Sequence, residues 1–276
     1  SSSAGIAGVW LSTDVAASND ITAATFVVTG ASAGHNLGYA LAMCDVDGDG
    51  MGDGIFGAPA ASATTAPGKT YIFYGLDVLT GTVSASTADA ILAGSANADR
   101  QGLSVACLDD IDFDGTGDFA TGSDKNDDAA TDAGAVYVMT SPPAGSTTAG
   151  AVASTVIRGE TASDFFGRTV AMAGDTNSDG YAELLAGATC YDVGALSGAG
   201  AVYLWYGPLT AGTVSASTYD ARFTGANTSD AVGLAIDGGG DVDGDGNADW
   251  MSGATSWDGF GYGDAGGSWL FYGRSE

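Results

Sequence analysis

An all-β repeat fold is predicted by three observations on this 276-residue chain. A short acidic loop recurs four times at one spacing. Four short β-type runs accompany each loop. No segment sustains a 3.6-residue apolar period, so helix content should be very low.

The first strand of each period precedes its loop, as in Gly38-Tyr39-Ala40-Leu41-Ala42, Gly102-Leu103-Ser104-Val105-Ala106, Gly167-Arg168-Thr169-Val170-Ala171 and Gly233-Leu234-Ala235-Ile236. The second follows the loop and ends at a glycine four residues past its last acid: Gly57, Gly122, Gly187 and Gly253. The third is the most apolar, running through Tyr71-Ile72-Phe73, Tyr137-Val138-Met139, Tyr203-Leu204-Trp205 and Trp269-Leu270-Phe271. The fourth reads Ala90-Ile91-Leu92-Ala93, Ser154-Thr155-Val156-Ile157 and Ala221-Arg222-Phe223-Thr224. Short runs of Val, Ile, Tyr, Phe and Thr bounded by Gly and Asp are strand signals. Thr82-Val83-Ser84-Ala85-Ser86-Thr87 and Thr213-Val214-Ser215-Ala216-Ser217-Thr218 are identical and read as turns of a duplicated unit.

A third strand apolar on both faces must be covered on both sides. Stacking successive four-stranded sheets around an axis achieves this, which is the β-propeller arrangement. The expectation is four blades of four antiparallel strands, with an alternative of an open arc completed by neighbouring subunits. The chain starts in mid-repeat: Ala7-Gly8-Val9-Trp10-Leu11 resembles a third strand and Thr25-Phe26-Val27-Val28 a fourth. It also stops after a third strand. If residues 25–28 complete the last blade, the ring closes and residues 1–12 form a surplus strand. Residues 1–20 are therefore assigned as an N-terminal segment, an extra strand or a donor for head-to-tail oligomers or filaments. Residues 21–276 form a single domain.

The loops carry the chemistry. Asp45, Asp110, Asp175 and Asp241 open them, and the spacing between these first residues is 65 or 66. Oxygen side chains follow at positions one, three, five and nine: Asp45, Asp47, Asp49 and Asp53; Asp110, Asp112, Asp114 and Asp118; Asp175, Asn177, Asp179 and Glu183; Asp241, Asp243, Asp245 and Asp249. Glycine stands at position six of each. Hard cations with oxygen ligands suit such tightly turned loops, and calcium suits them better than magnesium because no rigid octahedron is needed. Main-chain carbonyls at position seven, from Met51, Thr116, Tyr181 and Asn247, complete the expected sets. The third loop carries one charge fewer and is expected to bind most weakly. Without cations, like charges at ~4 Å repel by about 1 kcal/mol in water and about 4 at an effective dielectric of 20. Metal and fold should therefore be coupled.

Charge bounds the partners. The chain has 34 acidic and 7 basic residues, for a formal net charge of −27. Four calcium ions would leave it at −19. Nucleic acid and anionic membrane are poor partners, because binding phosphates requires basic patches. No stretch approaches the ~20 apolar residues of a membrane span. Composition favours an extracellular location. The N-terminus lacks the basic region and apolar core of a signal peptide, so a secreted protein would be in its mature form. Cys44, Cys107 and Cys190 permit at most one intrachain disulfide, and buried unpaired thiols are the favoured reading.

Together Phe166-Gly167, the Asp-x-Asp-x-Asp-Gly-x-x-Asp loops, Gly57-Ala58-Pro59 and Gly200-Ala201-Val202-Tyr203 resemble the FG-GAP repeat of integrin α-subunit propellers and their bacterial or archaeal secreted relatives. Leu37-Gly38, Gln101-Gly102 and Val232-Gly233 depart at the aromatic, and Gly122-Ser123 departs from Gly-Ala-Pro. The resemblance implies that each acidic loop joins the first and second strands of a blade and holds one Ca²⁺. Integrin-like propellers have seven blades, whereas four loops occur here.

Other groups carry less. His35, the only histidine, reads as a solvated turn residue. Asp124, Asp127, Asp128 and Asp132 crowd one loop and could in principle hydrolyse glycosides, but a solvated loop or minor cation site is favoured. Trp10, Trp205 and Trp269 fall on third strands and read as packing between blades. Trp257, beside Asp258, Phe260 and Tyr262, is the best candidate for an aromatic contacting a glycan or protein ligand, with loop packing the favoured reading. Asn227-Thr228-Ser229 is a glycosylation sequon. The expected function is that of an extracellular calcium-binding structural or adhesion protein, non-enzymatic, assembling at a surface or in filaments. The alternatives are a carbohydrate-binding module and a non-catalytic part of a polysaccharide-active enzyme.

Overall fold

A computed structural model describes residues 4–9, 24–60, 65–258 and 263–274. Among the described residues twenty strands form five sheets. The first contains β1 (Ile6–Val9) and β2 (Phe26–Thr29). The second is built from β3 (Ala40–Cys44), β4 (Asp53–Ala58) and β5 (Lys69–Phe73), followed by β6 (Gly81–Ser84), which leaves it, and β7 (Ala90–Ala93). The third comprises β8 (Ser104–Asp109), β9 (Asp118–Ser123) and β10 (Ala135–Met139), with β11 (Gly145–Thr148) leaving it and β12 (Thr155–Arg158) closing it. The fourth has β13 (Phe166–Gly174), β14 (Glu183–Ala188) and β15 (Ala201–Trp205), with β16 (Gly212–Ser215) leaving and β17 (Ala221–Thr224) returning. The fifth is β18 (Ala235–Gly240), β19 (Asp249–Ala254) and β20 (Gly267–Phe271).

Neighbouring strands within each unit run antiparallel, as expected. The departing strands do something the sequence reading missed. The segments β6, β11 and β16 each add a parallel outer strand to the sheet before their own, on β2, β7 and β12 respectively. The identical Thr82–Thr87 and Thr213–Thr218 segments are thus half strand and half single-turn helix, and not simple turns. Ser84 and Ser215 cap those turns by accepting from the amides of Ser86 and Ser217.

Alternation along the third strands explains the stacking. Ile55 and Ile72 turn one way, with Leu92 of their own sheet, into a core with Phe119, Tyr137 and Met139 of the neighbouring sheet. Phe56, Tyr71 and Phe73 turn the other way, against Phe26 and Val28. Equivalent cores join the third and fourth sheets through Ile157, Phe166, Tyr203 and Trp205, and the fourth and fifth through Leu204, Trp250, Trp269 and Phe271. Leu41, Val105, Val170 and Ile236, from the four first strands, border a shared cavity of about 380 Å³. The arrangement is propeller-like, a succession of sheets with their first strands innermost.

Two expectations are corrected. Residues 26–29 do not complete the last blade: they pair with Ile6–Val9 and with β6, so five sheets occur and not four closed blades. Burial decides this, because Phe26, Val27 and Val28 are sealed against the second sheet, with the Phe26 and Phe73 rings edge to face at 5.7 Å. Trp10 and residues 11–12 of the surplus segment lie outside the described residues. The cysteine expectation also fails: Cys44 and Cys107 form a disulfide across the first strands of the second and third sheets, with Cα atoms 6.0 Å apart. Cys190 is free and partly buried.

The spacing of the recurrent glycines has a steric cause. A Cβ on Gly57 would stand 2.1 Å from the Gly102 carbonyl oxygen, on Gly122 2.0 Å from that of Gly167, and on Gly187 2.4 Å from that of Gly233. The glycine ending one second strand therefore receives the glycine opening the next repeat at van der Waals contact. Only a residue without a side chain permits that approach.

Candidate metal centres

All four acidic loops connect a first strand to a second: β3 to β4, β8 to β9, β13 to β14 and β18 to β19. Each loop wraps its backbone around its own carboxylates. The first residue accepts amide hydrogen bonds on both oxygens, Asp45 from Gly48 at 2.8 Å and from Gly50 at 2.9 Å. Asp110 and Asp175 do the same for Asp114 and Gly115, and for Asp179 and Gly180. Asp241 accepts from Gly244, Asp245 and Gly246. Position three accepts from the amide of position five in every copy: Asp47 from Asp49, Asp112 from Asp114, Asn177 from Asp179 and Asp243 from Asp245. Position five accepts from position seven at 2.8–2.9 Å, so Met51, Thr116, Tyr181 and Asn247 are bound to Asp49, Asp114, Asp179 and Asp245. Glycine at position six has φ between +85° and +94° in all four loops. Position four is left-handed too, with Phe113 and Ser178 taking φ near +60° where the other loops have glycine.

The ninth residue closes each loop from inside. Asp53, Asp118, Glu183 and Asp249 are buried and accept from the amide of position two: Val46, Ile111, Thr176 and Val242. In the outer two loops their second oxygen is satisfied by Gly75 and Gly273. In the middle two it is not: Asp118 Oδ1 and Glu183 Oε1 are buried without a partner.

Oxygen atoms within 4.8 Å of one another group Asp45, Asp47 and Asp53; Asp110, Asp112 and Asp118; Asp175, Asp179 and Glu183; and Asp241, Asp243 and Asp249. Asp49, Asp114 and Asp245 stand outside these triplets, whereas Asp179 replaces the uncharged Asn177 in the third. Asn177 donates its side-chain amide to Asp179 at 2.9 Å. Burial pushes Asp118 up to about 7, opposed by the Ile111 amide and reinforced by Asp112, Asp110 and Asp114. Burial likewise pushes Glu183 up to about 7, opposed by Thr176 and reinforced by Asp179 and Asp175. Asp53 is raised for the same first cause. Three converging carboxylates per loop, with an orphaned buried oxygen in the middle two, are a donor set that fits a hard divalent ion.

The other candidates are accounted for by packing and pairing. Asp124 is buried and receives both Arg100 at 3.0 Å and Arg168 at 3.1 Å, which corrects its reading as part of a solvated loop. Asp128 pairs with Arg158 and Asp132 with Lys125. His35 is half-buried, with its pKa lowered by burial. Trp205 joins the core between the third and fourth sheets, and Trp257 packs edge to face on Trp269 at 5.5 Å. Phe260 and Tyr262 lie outside the described residues. Asp99, Asp164 and Asp230 are polar residues that the motif search missed. All three are buried caps of the loop entering a first strand, accepting amides from Ala96, Thr161, and Ala226 with Asn227. Their recurrence at the spacing of the acidic loops was the available signal.

Fold and site together define an all-β, propeller-like repeat protein with one acidic hairpin per repeat. Residues 166–205 match the FG-GAP repeat family. The chain is similar to integrin alpha-5 of Xenopus laevis, 31% identical over 162 residues, which cover 55% of this chain and 14% of that protein. It is also similar to integrin alpha-PS2 of Drosophila melanogaster, 35% identical over 124 residues, 44% of this chain and 9% of that protein. The chain thus spans a small fraction of the length of the curated relatives it matches. No helix among the described residues is long and apolar enough to cross a membrane.

Proposed function

We propose that this chain is an extracellular, calcium-stabilised, propeller-like module that serves adhesion or surface structure, without catalytic activity. One observation carries the reading: four equivalent hairpins each converge three carboxylates within 4.8 Å, and two of them leave a buried oxygen unpartnered. Calcium would be held by the side chains at positions one, three, five and nine, with the position-seven carbonyls of Met51, Thr116, Tyr181 and Asn247. The Asp175–Glu183 loop, one charge poorer, binds most weakly. The ion supplies positive charge that offsets the repulsion, and the chain supplies oxygens already fixed by their amide bonds. The similarity to integrin alpha subunits supports an extracellular adhesion role. A non-catalytic role is supported by the ion pairing of Asp124, Asp128 and Asp132. Isothermal titration with Ca²⁺ tests the metal reading. Several binding events with release of protons are expected, and absence of heat at millimolar calcium refutes it.

Self-assembly belongs to the same proposal. Among the described residues β1 and β20 have one strand neighbour each, and unpaired edges accept strands from other molecules. Light scattering at rising concentration reads this directly, with a constant monomer mass as the failing result. A second reading, glycan binding, draws on a cavity of about 510 Å³ bordered by Phe223, Trp257, Trp269 and Phe271. The buried Ser252 hydroxyl on its wall has no partner. Saturable binding to an oligosaccharide array, lost in Trp257→Ala, would favour it.

A further inference from the structure

The acidic loops touch one another. Position four of each loop meets position seven of the next at every junction. At Gly48 a Cβ would stand 3.3 Å from the Thr116 side chain. The Phe113 and Tyr181 rings lie 4.9 Å apart, and Ser178 Oγ bonds Asn247 Oδ1 at 2.5 Å. Position seven is where the proposed carbonyl ligand sits, so each loop leans on a ligand residue of its successor.

Two junctions are tighter than the third. The Gly117 amide donates to the Asp45 carbonyl at 2.7 Å, and the Ala248 amide donates to the Asp175 carbonyl at 2.8 Å. These bonds tie position eight of one loop to position one of the loop before. Among the described residues no backbone hydrogen bond joins loop 110–118 to loop 175–183, where the exposed Phe113 ring meets the half-buried Tyr181 ring. Steric complementarity follows the same pairing. A Cβ on Gly117 would come within 2.5 Å of the Asp45 carbonyl oxygen, and one on Gly174 within 2.5 Å of the Ala248 methyl. Each tight junction therefore has a glycine at the crossing, on opposite sides. The Cys44–Cys107 disulfide joins the residue before Asp45 to the third residue before Asp110, and Met172 stands at the place corresponding to Cys107 in the second pair.

We infer that the four loops bind cations as two coupled pairs, 45–53 with 110–118 and 175–183 with 241–249, and that the disulfide preorganises the first pair. The inference rests on the calcium reading above. Its physical basis is that a cation fixing Asp45 also fixes the carbonyl to which Gly117 is bonded. It thereby orders the neighbouring Thr116, and a loop already ordered loses less freedom on binding. The unpartnered Asp118 oxygen in the first pair and Glu183 oxygen in the second are the groups that gain most from that ordering.

The test is hydrogen exchange of peptides spanning each loop, followed against added Ca²⁺ in the full chain. In Asp47→Asn, the protection midpoint of loop 110–118 should rise about fivefold or more, the lower range of site-to-site coupling. Loops 175–183 and 241–249 should not move. Ser178→Ala should shift loop 241–249 alone among the unmutated loops. Reduction of the disulfide should raise the midpoints of the first pair only. If Asp47→Asn shifts loop 45–53 and no other, the coupling is refuted while calcium binding stands. If all four loops shift together, the pairing is refuted. If unmodified protein shows no calcium-dependent protection, both readings fall.

Discussion

The Gly117 amide points at the Asp45 carbonyl across 2.7 Å, so the second acidic loop grips the residue that opens the first. Electrostatic repulsion within one loop is therefore carried to its neighbour through the backbone. In the metal-free protein the stability of each loop should therefore depend on that of the loop bonded to it.

Chelation should destabilise the fold strongly. A ligand at a hundred times its dissociation constant adds about 2.7 kcal/mol per site. Removing four such ions should lower the melting temperature by about 10 °C or more. Scanning calorimetry in calcium and in EGTA checks this, and coincident melts would contradict it.

The pH dependence without metal follows from Asp118 and Glu183. Their folded pKa values lie near 7, above the values of about 3.9 and 4.3 expected unfolded. The folded state binds more protons between these limits, so stability is fully present below about pH 4 and is lost as pH rises through 7. In EGTA the melting temperature should fall from pH 5 to pH 8. With calcium this fall should vanish, since the ion replaces the protons. A melting temperature that rises with pH in EGTA would contradict the assignment.

The disulfide closes a separation of 63 residues. Loss of a crosslink of that span costs about 2–4 kcal/mol. Guanidinium unfolding of a Cys44→Ser, Cys107→Ser double variant should show it as a lower midpoint with a steeper slope, because the unfolded chain is freer to expand.

Much of this organisation is written in side chains, and what escaped is written in backbone. The loops announce themselves because every ligand position needs an oxygen and every sixth position a positive φ. The third strands announce themselves because Tyr137 and Tyr203 must be covered on both faces. The outer strands β6, β11 and β16 bury little, so Gly81-Thr82-Val83-Ser84 looks like a turn although its parallel pairing is regular. Phe26–Thr29 has the pattern of any fourth strand, and pattern alone does not say which sheet it joins. The Cys44–Cys107 bond depends on how closely two first strands approach, a distance absent from either strand's sequence.

Glycine at the blade junction should be irreplaceable. Gly122→Val places a branched side chain where the Gly167 carbonyl oxygen already lies, at a cost of about 1–3 kcal/mol or more. Gly52→Ala, with nothing within 4 Å of the added carbon, is the control and should be nearly neutral. Equal urea midpoints for the two variants would remove the steric account.

Asp124 should act as a buried clasp. It holds Arg100 and Arg168 from two different repeats, and one of its oxygens remains unpartnered. Asp124→Ala strands two guanidinium groups and should cost about 3–5 kcal/mol, measured by urea unfolding. A loss below 1 kcal/mol would show the clasp to be dispensable.

The parallel outer strands have an engineering consequence. Gly81, Gly145 and Gly212 each donate an amide to the residue preceding or opening the outermost strand of the sheet behind them, Thr25, Asp89 and Ser154. Adjacent repeats thus overlap like roof shingles, each tucked under the next. At the three junctions bridged by β6, β11 and β16, no cut between two repeats leaves both halves whole, and shortening the array there by one unit means grafting the overlapping lap as well as the sheet.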